Sequence, residues 1–546
     1  MFKPEGDDVT GVTQRGAVLL AAILVTATGA AYFPALQNGF VWDDDTFLTG
    51  NPLIHNPAGI QKFWSTAEAP DFFPLTSTML WLEWRMWGTN ATGYHLTNLL
   101  LHIGASLLLW RVLLRLGLRP SVAWGAAMLF AIHPVNVQTV AWITQRKNTL
   151  SLFWAALSVW MWLRSQRSEV GGRNAEGGRK SAGEREACGE RRAVFGIPGS
   201  SFYWISLLCF ALSLLAKTSL VALPVVLALL AWRRSGQLTR REILPVLPFV
   251  AVSVAIAAVS FCFQQNRSIG ADMALVRPEG ALTRLTGVGW VFWFYLGKAT
   301  LPIHLCFNYP RWEIDAGNWL HHLPNAALVL CAGCVAVAAW RGRGKEAKER
   351  REEGGAWPAV HSSWAGGWSC LFVALCAYLL LLAPVLGVIP IYYFRYSLVS
   401  DHYQYPALIA VTALAAASLD RLLKRAPRAA WPTVLAVLTI AGVVVCHAET
   451  RNYRNAETLY RTTLERNPTS WMVHGNFGVL LAGQGKTREA IDHYQAALKH
   501  KPDDTRAHNN LGNALAKLGD LDAAVACFRT ALKIQPAYAE AHNNLG

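Results

Sequence analysis

Three consecutive carboxylates, Asp43, Asp44 and Asp45, follow the run Asn38-Gly39-Phe40-Val41-Trp42 a few residues beyond the first apolar stretch of the chain. Adjacent like charges repel one another and bury no apolar surface, so a triplet beside a membrane helix suits proton abstraction or cation binding. The competing reading is a hydrated acidic loop, since an acid cluster alone is a weak motif. No second acidic group stands at ligand spacing, and no metal is predicted.

The elements that must position these acids belong to a membrane. Of 546 residues, 53% are hydrophobic and 16% charged, with 23 tryptophans, and apolar runs of spanning length recur, which places the chain among polytopic membrane proteins. Apolar runs and flanking charge predict spans over 16–33, 94–116, 121–132, 149–163, 202–216, 220–232, 243–263, 323–340, 368–389, 405–423 and 431–445. The run 121–132 is short for a crossing and must be extended or tilted.

The net charge of +15, from 50 Lys and Arg against 35 Asp and Glu, does not point to nucleic acid, because the basic residues collect in particular inter-span loops. Arg111, Arg115 and Arg119 mark one such loop, and others lie over 164–192, 233–241, 341–351 and 421–428. All five belong in the cytoplasm by the positive-inside bias. Counting 285–301 as a crossing would send the 341–351 cluster outside, so this stretch, with Trp290, Phe292, Trp293, Phe294 and Tyr295, is read as a re-entrant or interfacial helix. Eleven crossings result, with the acidic triplet and everything beyond Val445 on the outer face. Lys217, between two spans, reads as a topology marker.

Arg15 before the first apolar run gives it the look of a signal peptide, but no small-residue cleavage site precedes the triplet, so a retained span is expected. Most of the ten cysteines lie in apolar runs, Cys188 is cytoplasmic, and only Cys306 and Cys527 fall outside, which leaves no disulfide framework. Cys331 and Cys334 have CxxC spacing but no second ligand pair and are read as packing residues. The Gly-, Arg-, Glu- and Ser-rich segment 165–199 reads as a flexible cytoplasmic loop bounded by 164–201.

A membrane domain over 1–447, with a first outer loop at 34–93, gives way to a different kind of chain over 448–546. Pro468, Pro502 and Pro536 stand 34 residues apart, the tetratricopeptide period. The same register carries Ala456, Ala490 and Ala524; Tyr460, Tyr494 and Phe528; and Gly478, Gly512 and Gly546. Small residues let paired helices approach, the aromatic fills the gap between units, and proline closes the second helix. The array is expected to begin by stacking on the final membrane helix and to be cut short at Gly546. Its concave face would carry His474, Asn476, His508, Asn509, Asn510, His542 and Asn543, individually solvated but collectively suited to an extended peptide or partner protein.

Three stretches resemble one family, the transmembrane and tetratricopeptide-repeat-containing O-mannosyltransferases and their bacterial relatives, within the GT-C class of polyprenyl-phosphate-dependent glycosyltransferases. They are Gly39-Phe40-Val41-Trp42-Asp43-Asp44 with Phe73-Pro74-Leu75-Thr76 and Tyr94 through His102; His133-Pro134 with Val140-Ala141-Trp142-Ile143 and Arg146 through Ser151; and Arg395-Tyr396 with Asp401 through Pro406. The resemblance covers nearly the whole chain. It implies an all-α bundle of about eleven spans followed by an α-solenoid of repeats. The implied enzyme sits in a bacterial inner membrane and moves mannose or a similar hexose, with inversion, from a polyprenyl-phosphate carrier to Ser or Thr hydroxyls of exported proteins that the repeats recruit.

In such enzymes a first-loop carboxylate acts on the acceptor, which makes Asp43 the expected base and Asp44 the group that orients the acceptor or the base, with the extra Asp45 read as an acceptor or sugar contact. A positioned base contributes roughly 10²- to 10⁴-fold. Arg146, Lys147 and Arg395 are the expected contacts of the carrier phosphate, against a competing reading as interfacial side chains snorkelling to headgroups. His133, Asp401, Trp42 and Tyr94 match family positions and are read as acceptor or sugar contacts, although a histidine beside proline is more often a cap. Two positions depart from the family pattern: Phe73 stands where relatives carry Arg before Pro-Leu-Thr, and Asn148 where many carry an acid.

Other functions are weighed by the same features. A lipid-linked glycan ligase would need the same outer acids and arginines but has no use for a repeat array. A scaffold that merely anchors repeats would not need eleven spans, and a transporter would carry ionisable groups at mid-membrane.

Overall fold

The computed structural model describes residues 13–176, 200–235, 237, 239–264, 279–352 and 367–546. Every regular element among them is helical. The loop predicted over 165–199 and Cys188 lie mostly outside the described residues; the first part of that loop instead continues the helix Arg146–Glu176.

Among the described residues seven helices are long and apolar enough to cross a membrane: Gln14–Gln37, Ala91–Arg115, Thr218–Ser235, Leu244–Phe263, Trp319–Gly342, Trp368–Val385 and Ala430–Tyr453. The other four predicted runs are also helical. Pro120–Ala131, Ser201–Ala216 and Leu408–Leu422 are 12, 16 and 15 residues long, short of a full crossing, and the fourth lies within Arg146–Glu176. Local chemistry sets several ends: the Asn90 side chain accepts the Thr92 N–H at the start of Ala91–Arg115, and prolines occupy the first turn at Pro74 and Pro120. The first helix packs on the last of the bundle, where His447 meets the Ala30 carbonyl at 3.0 Å.

The stretch 285–301 forms part of one uninterrupted helix, Ala281–Thr300. Glu279, just before it, pairs with Arg311, whose other amine donates to the Arg395 carbonyl. At the far end the Ala299 carbonyl meets the His133 ring. Both ends therefore touch loops of the bundle, and the stretch between them is a single helix rather than a re-entrant hairpin, with Val291, Phe292 and Tyr295 buried in the core.

The repeats dock on that same face. Ala430–Thr450 passes through a short turn into Ala456–Arg466, and the pairs Trp471–Gly483 with Thr487–His500 and Thr505–Lys517 with Leu521–Ile534 follow. Gly485 (φ +80°) and Gly519 (φ +86°) supply the left-handed residue that turns each pair. A Cβ on Gly478 would meet the Tyr494 ring at 2.5 Å and one on Gly512 the Phe528 ring at 2.6 Å, while Ala490 and Ala524 are buried beneath. The His474, His508 and His542 rings reach back to the carbonyls of Pro468, Pro502 and Pro536, so these histidines close their own helix starts rather than presenting free donors on the concave face.

Candidate active site

The acidic loop is tied down at both ends. The Gly39 N–H donates to the Arg454 carbonyl at 2.8 Å and the Asn38 amide to the Thr450 carbonyl, so the loop begins pinned to the root of the array. Trp42 then takes φ +46°, a strained conformation for a bulky side chain. Its ring lies between those of Trp142, Phe307, Tyr393 and Tyr396, which holds the strain and turns the following carboxylates inward.

Asp44 is fully buried, and its two oxygens accept the Val41 and Thr144 N–H groups at 2.8 and 2.9 Å. Asp43 is half-buried and accepts the Thr144 hydroxyl at 2.6 Å. One threonine, a hundred residues downstream, thus grips both acids. Asp45 points to solvent and bonds only Thr46. Burial, reinforced by the charge of Asp43, pushes the Asp44 carboxyl up to about 8. Burial also raises Asp43, offset in part by the charge of Lys147.

Lys147 is a half-buried cation over the rings of Phe47 and Phe73. Beside it stands Lys217, donating to the Asn148 side chain at 2.7 Å and lying over the Tyr403 ring. Burial and the repulsion of Lys147 hold Lys217 well below the usual lysine range, with Asp71 opposing that shift. Asp71 is itself raised by burial and eased back by both lysines. Asp43, Asp71, Lys147 and Lys217 therefore form one electrostatically linked group. The two positions that depart from the family pattern, Phe73 and Asn148, both line it.

Near the lysines along the chain lies an apolar cavity of about 180 Å³. Its upper lining includes Leu152, Leu220 and Pro406, which follow Lys147, Lys217 and Tyr403 within a few residues; Leu116, Leu118 and Leu230 line its other end, beside Arg115 and Arg233. A slot walled by Leu, Val and Ala at this depth accepts a hydrocarbon chain and rejects polar ligands.

Other expected site residues lie elsewhere. Arg146 is not free to meet an anion: its guanidinium is fully enclosed, donating to Glu83, Asn98 and the Tyr94 carbonyl, and serves as the pin between the first loop and two helices. Tyr94 is likewise structural, its hydroxyl donating to the Gly88 carbonyl at 2.9 Å. His133 accepts the Val135 N–H and meets the Ala299 carbonyl, the cap that a histidine beside proline forms. Asp401, raised to about 7 chiefly by burial, accepts the Tyr309 hydroxyl in a separate buried junction near Glu449 and Arg466. Arg395 faces the repeats, its guanidinium over the rings of Tyr392, Tyr396 and Trp471.

Thr144, Asp71 and Glu83 were not marked by sequence, and Lys217 only as a topology marker. Thr144 stands two residues before Arg146 and Asp71 two before Phe73, so adjacency to a motif was the available signal. Nothing local pointed to Glu83.

A helical membrane bundle with a repeat solenoid docked over a buried cluster of acids and lysines is the class that fold and site define. The tetratricopeptide repeat family model matches residues 476–539. Over part of its length the chain is similar to proteins named protein O-mannosyl-transferase. It is 28% identical to F38B6.6 of Caenorhabditis elegans over 141 residues, 23% of this chain and 20% of that protein. It is 29% identical to Tmtc3 of Drosophila melanogaster over 180 residues, 27% of this chain and 19% of that one, and 28% identical to human TMTC1 over 184 residues, 31% and 21%. The resemblance drawn from the motifs is thus to the family in which these homologues fall, and the chain spans about a fifth of the length of the curated relatives it matches.

Proposed function

We propose that this chain transfers a hexose, mannose or a close relative, from a polyprenyl phosphate to a Ser or Thr hydroxyl of a polypeptide, on the extracytoplasmic side of a bacterial inner membrane. The observation that carries the reading is the electrostatic linkage of Asp43, Lys147 and Lys217, with an apolar cavity lined by Leu152 and Leu220 a few residues along the chain from the two lysines.

The chemistry follows from those groups. The carrier's hydrocarbon tail lies in the apolar cavity, and its phosphate comes to rest between Lys147 and Lys217. A phosphate there relieves the mutual repulsion that depresses Lys217. The acceptor oxygen attacks the anomeric carbon from the opposite side, the bond from that carbon to the phosphate oxygen breaks, and the configuration inverts. Asp43 receives the hydroxyl proton, and the lysines take up the charge that returns to the phosphate. Asp44, with each oxygen engaged by a backbone N–H, holds the loop on Thr144 and so positions Asp43.

The test uses the full chain in lipid nanodiscs, a polyprenyl-phosphate mannose and a Thr-containing peptide, with product read by mass spectrometry. Asp43→Asn is expected to remove transfer by roughly 10²- to 10⁴-fold without altering thermal stability. Lys217→Met is expected to raise the KM for the donor. Transfer by Asp43→Asn at the wild-type rate would discard the assignment, and hexose-free peptide with every lipid-linked donor would discard the reaction.

A further inference from the structure

A polar cleft of about 390 Å³ separates the site face of the bundle from the repeats. Arg311, Arg395 and Tyr396 stand on the bundle wall; Trp471, His500 and Lys501 stand on the repeat wall. Its charges are unevenly spent. Arg311 is neutralised by Glu279 at 2.8 Å and Lys501 pairs with Asp503 at 3.2 Å, leaving Glu313 as the other carboxylate lining the cleft. Arg395 at its centre is held by the Tyr392 hydroxyl at 3.0 Å and by aromatic faces, and among the described residues no carboxylate forms an ion pair with it. A guanidinium stacked on rings is fixed in orientation and keeps donors for a planar carboxylate.

The cleft also leads somewhere. Trp471 lies 5.3 Å from the Tyr396 ring, and Tyr396 lies 6.3 Å from the ring of Trp42, the residue before Asp43. An extended chain covers roughly 3.3–3.6 Å per residue, so a peptide lying along these rings has about three to five residues between the group beside Arg395 and the group beside Asp43. A polypeptide suits this surface because one wall belongs to a repeat array and because aromatic faces beside a cation bind main chain and carboxylate together.

We propose that this cleft selects extended polypeptide segments carrying an acidic residue about three to five positions from the acceptor hydroxyl, with Arg395 as the residue that reads the acid. The hydroxyl's role rests on the transferase reading; binding of the acidic segment does not.

Fluorescently labelled peptides holding one Thr, with Glu, Gln or Lys placed four residues away, are titrated into the full chain in nanodiscs, and transfer is followed in parallel. The Glu peptide is expected to bind about tenfold more tightly than the Gln peptide, the difference expected of one charge-assisted contact, and added salt should shrink it. Arg395→Glu should reverse the order so that the Lys peptide binds best, while Arg395→Lys keeps a reduced preference for Glu. Should Arg395→Glu fail to fold, Lys501→Glu on the opposite wall should narrow the same preference. Equal binding of the three peptides, or a Glu preference untouched by Arg395→Glu, overturns the proposal. Acid-selective binding without transfer to any peptide upholds the cleft and removes the transferase reading; transfer without acid selectivity does the reverse.

Discussion

The repeat array and the acidic site are built on opposite plans. In the array each key contact joins residues 16 apart within one helical pair, Gly478 under Tyr494 and Gly512 under Phe528, and the next pair copies it. In the site every decisive contact is made once and across long stretches of chain: Thr144 to Asp43, Arg146 to Glu83, Lys217 to Asn148. Stability in the array is therefore shared among equivalent units, whereas in the site it is concentrated in a few buried polar groups whose loss nothing else replaces.

Breaking the site should cost most. Arg146→Met leaves the Glu83 carboxylate buried without its cation, and a loss of about 3–5 kcal/mol is expected, seen as a sharply lower melting temperature in detergent. Adding Glu83→Gln should recover part of it. Thr144→Val tests position rather than fold. It deletes the hydroxyl on Asp43 while keeping the N–H on Asp44, and transfer should fall about tenfold with melting nearly unchanged. In the array, Gly478→Ala drives a methyl into the Tyr494 ring and should cost about 1–3 kcal/mol, read as earlier protease cleavage of the repeats while the bundle melts as before.

The remaining effect concerns pH. Asp44 titrates near 8 when folded against 3.8 in an ordinary setting, so its contribution to stability is full below about 3.8 and is lost as pH climbs through about 8. Thermal melts should fall as pH rises across that window, and Asp44→Asn should flatten the slope. Transfer should run the other way, rising with pH as Asp43 gives up its proton.

The contrast also explains what could be read from the amino acids. The array's register was legible from Pro468, Pro502 and Pro536 because each contact repeats at a fixed offset. The helical character of all eleven apolar runs was legible for the same reason, being local; that 285–301 belongs to one unbroken helix, Ala281–Thr300, and not to a re-entrant hairpin, was not. Arg146 was misplaced because sequence shows a cation beside a motif but not the glutamate 63 residues earlier that occupies it. Lys217 was passed over because a lone lysine between apolar runs looks the same whether it faces headgroups or, as here, a second lysine and Asp71. The histidines of the array looked free because their acceptors are main-chain carbonyls, which carry no residue signature.

The Gly39 and Asn38 bonds to Arg454 and Thr450 bear on how the molecule can be dissected. A protein trimmed before Thr450 would keep its bundle of helices yet lose the peg that holds the acidic turn in place. Severing the solenoid is therefore not a clean removal of an accessory module, and a silent truncate would say nothing about whether the helices alone possess the chemistry.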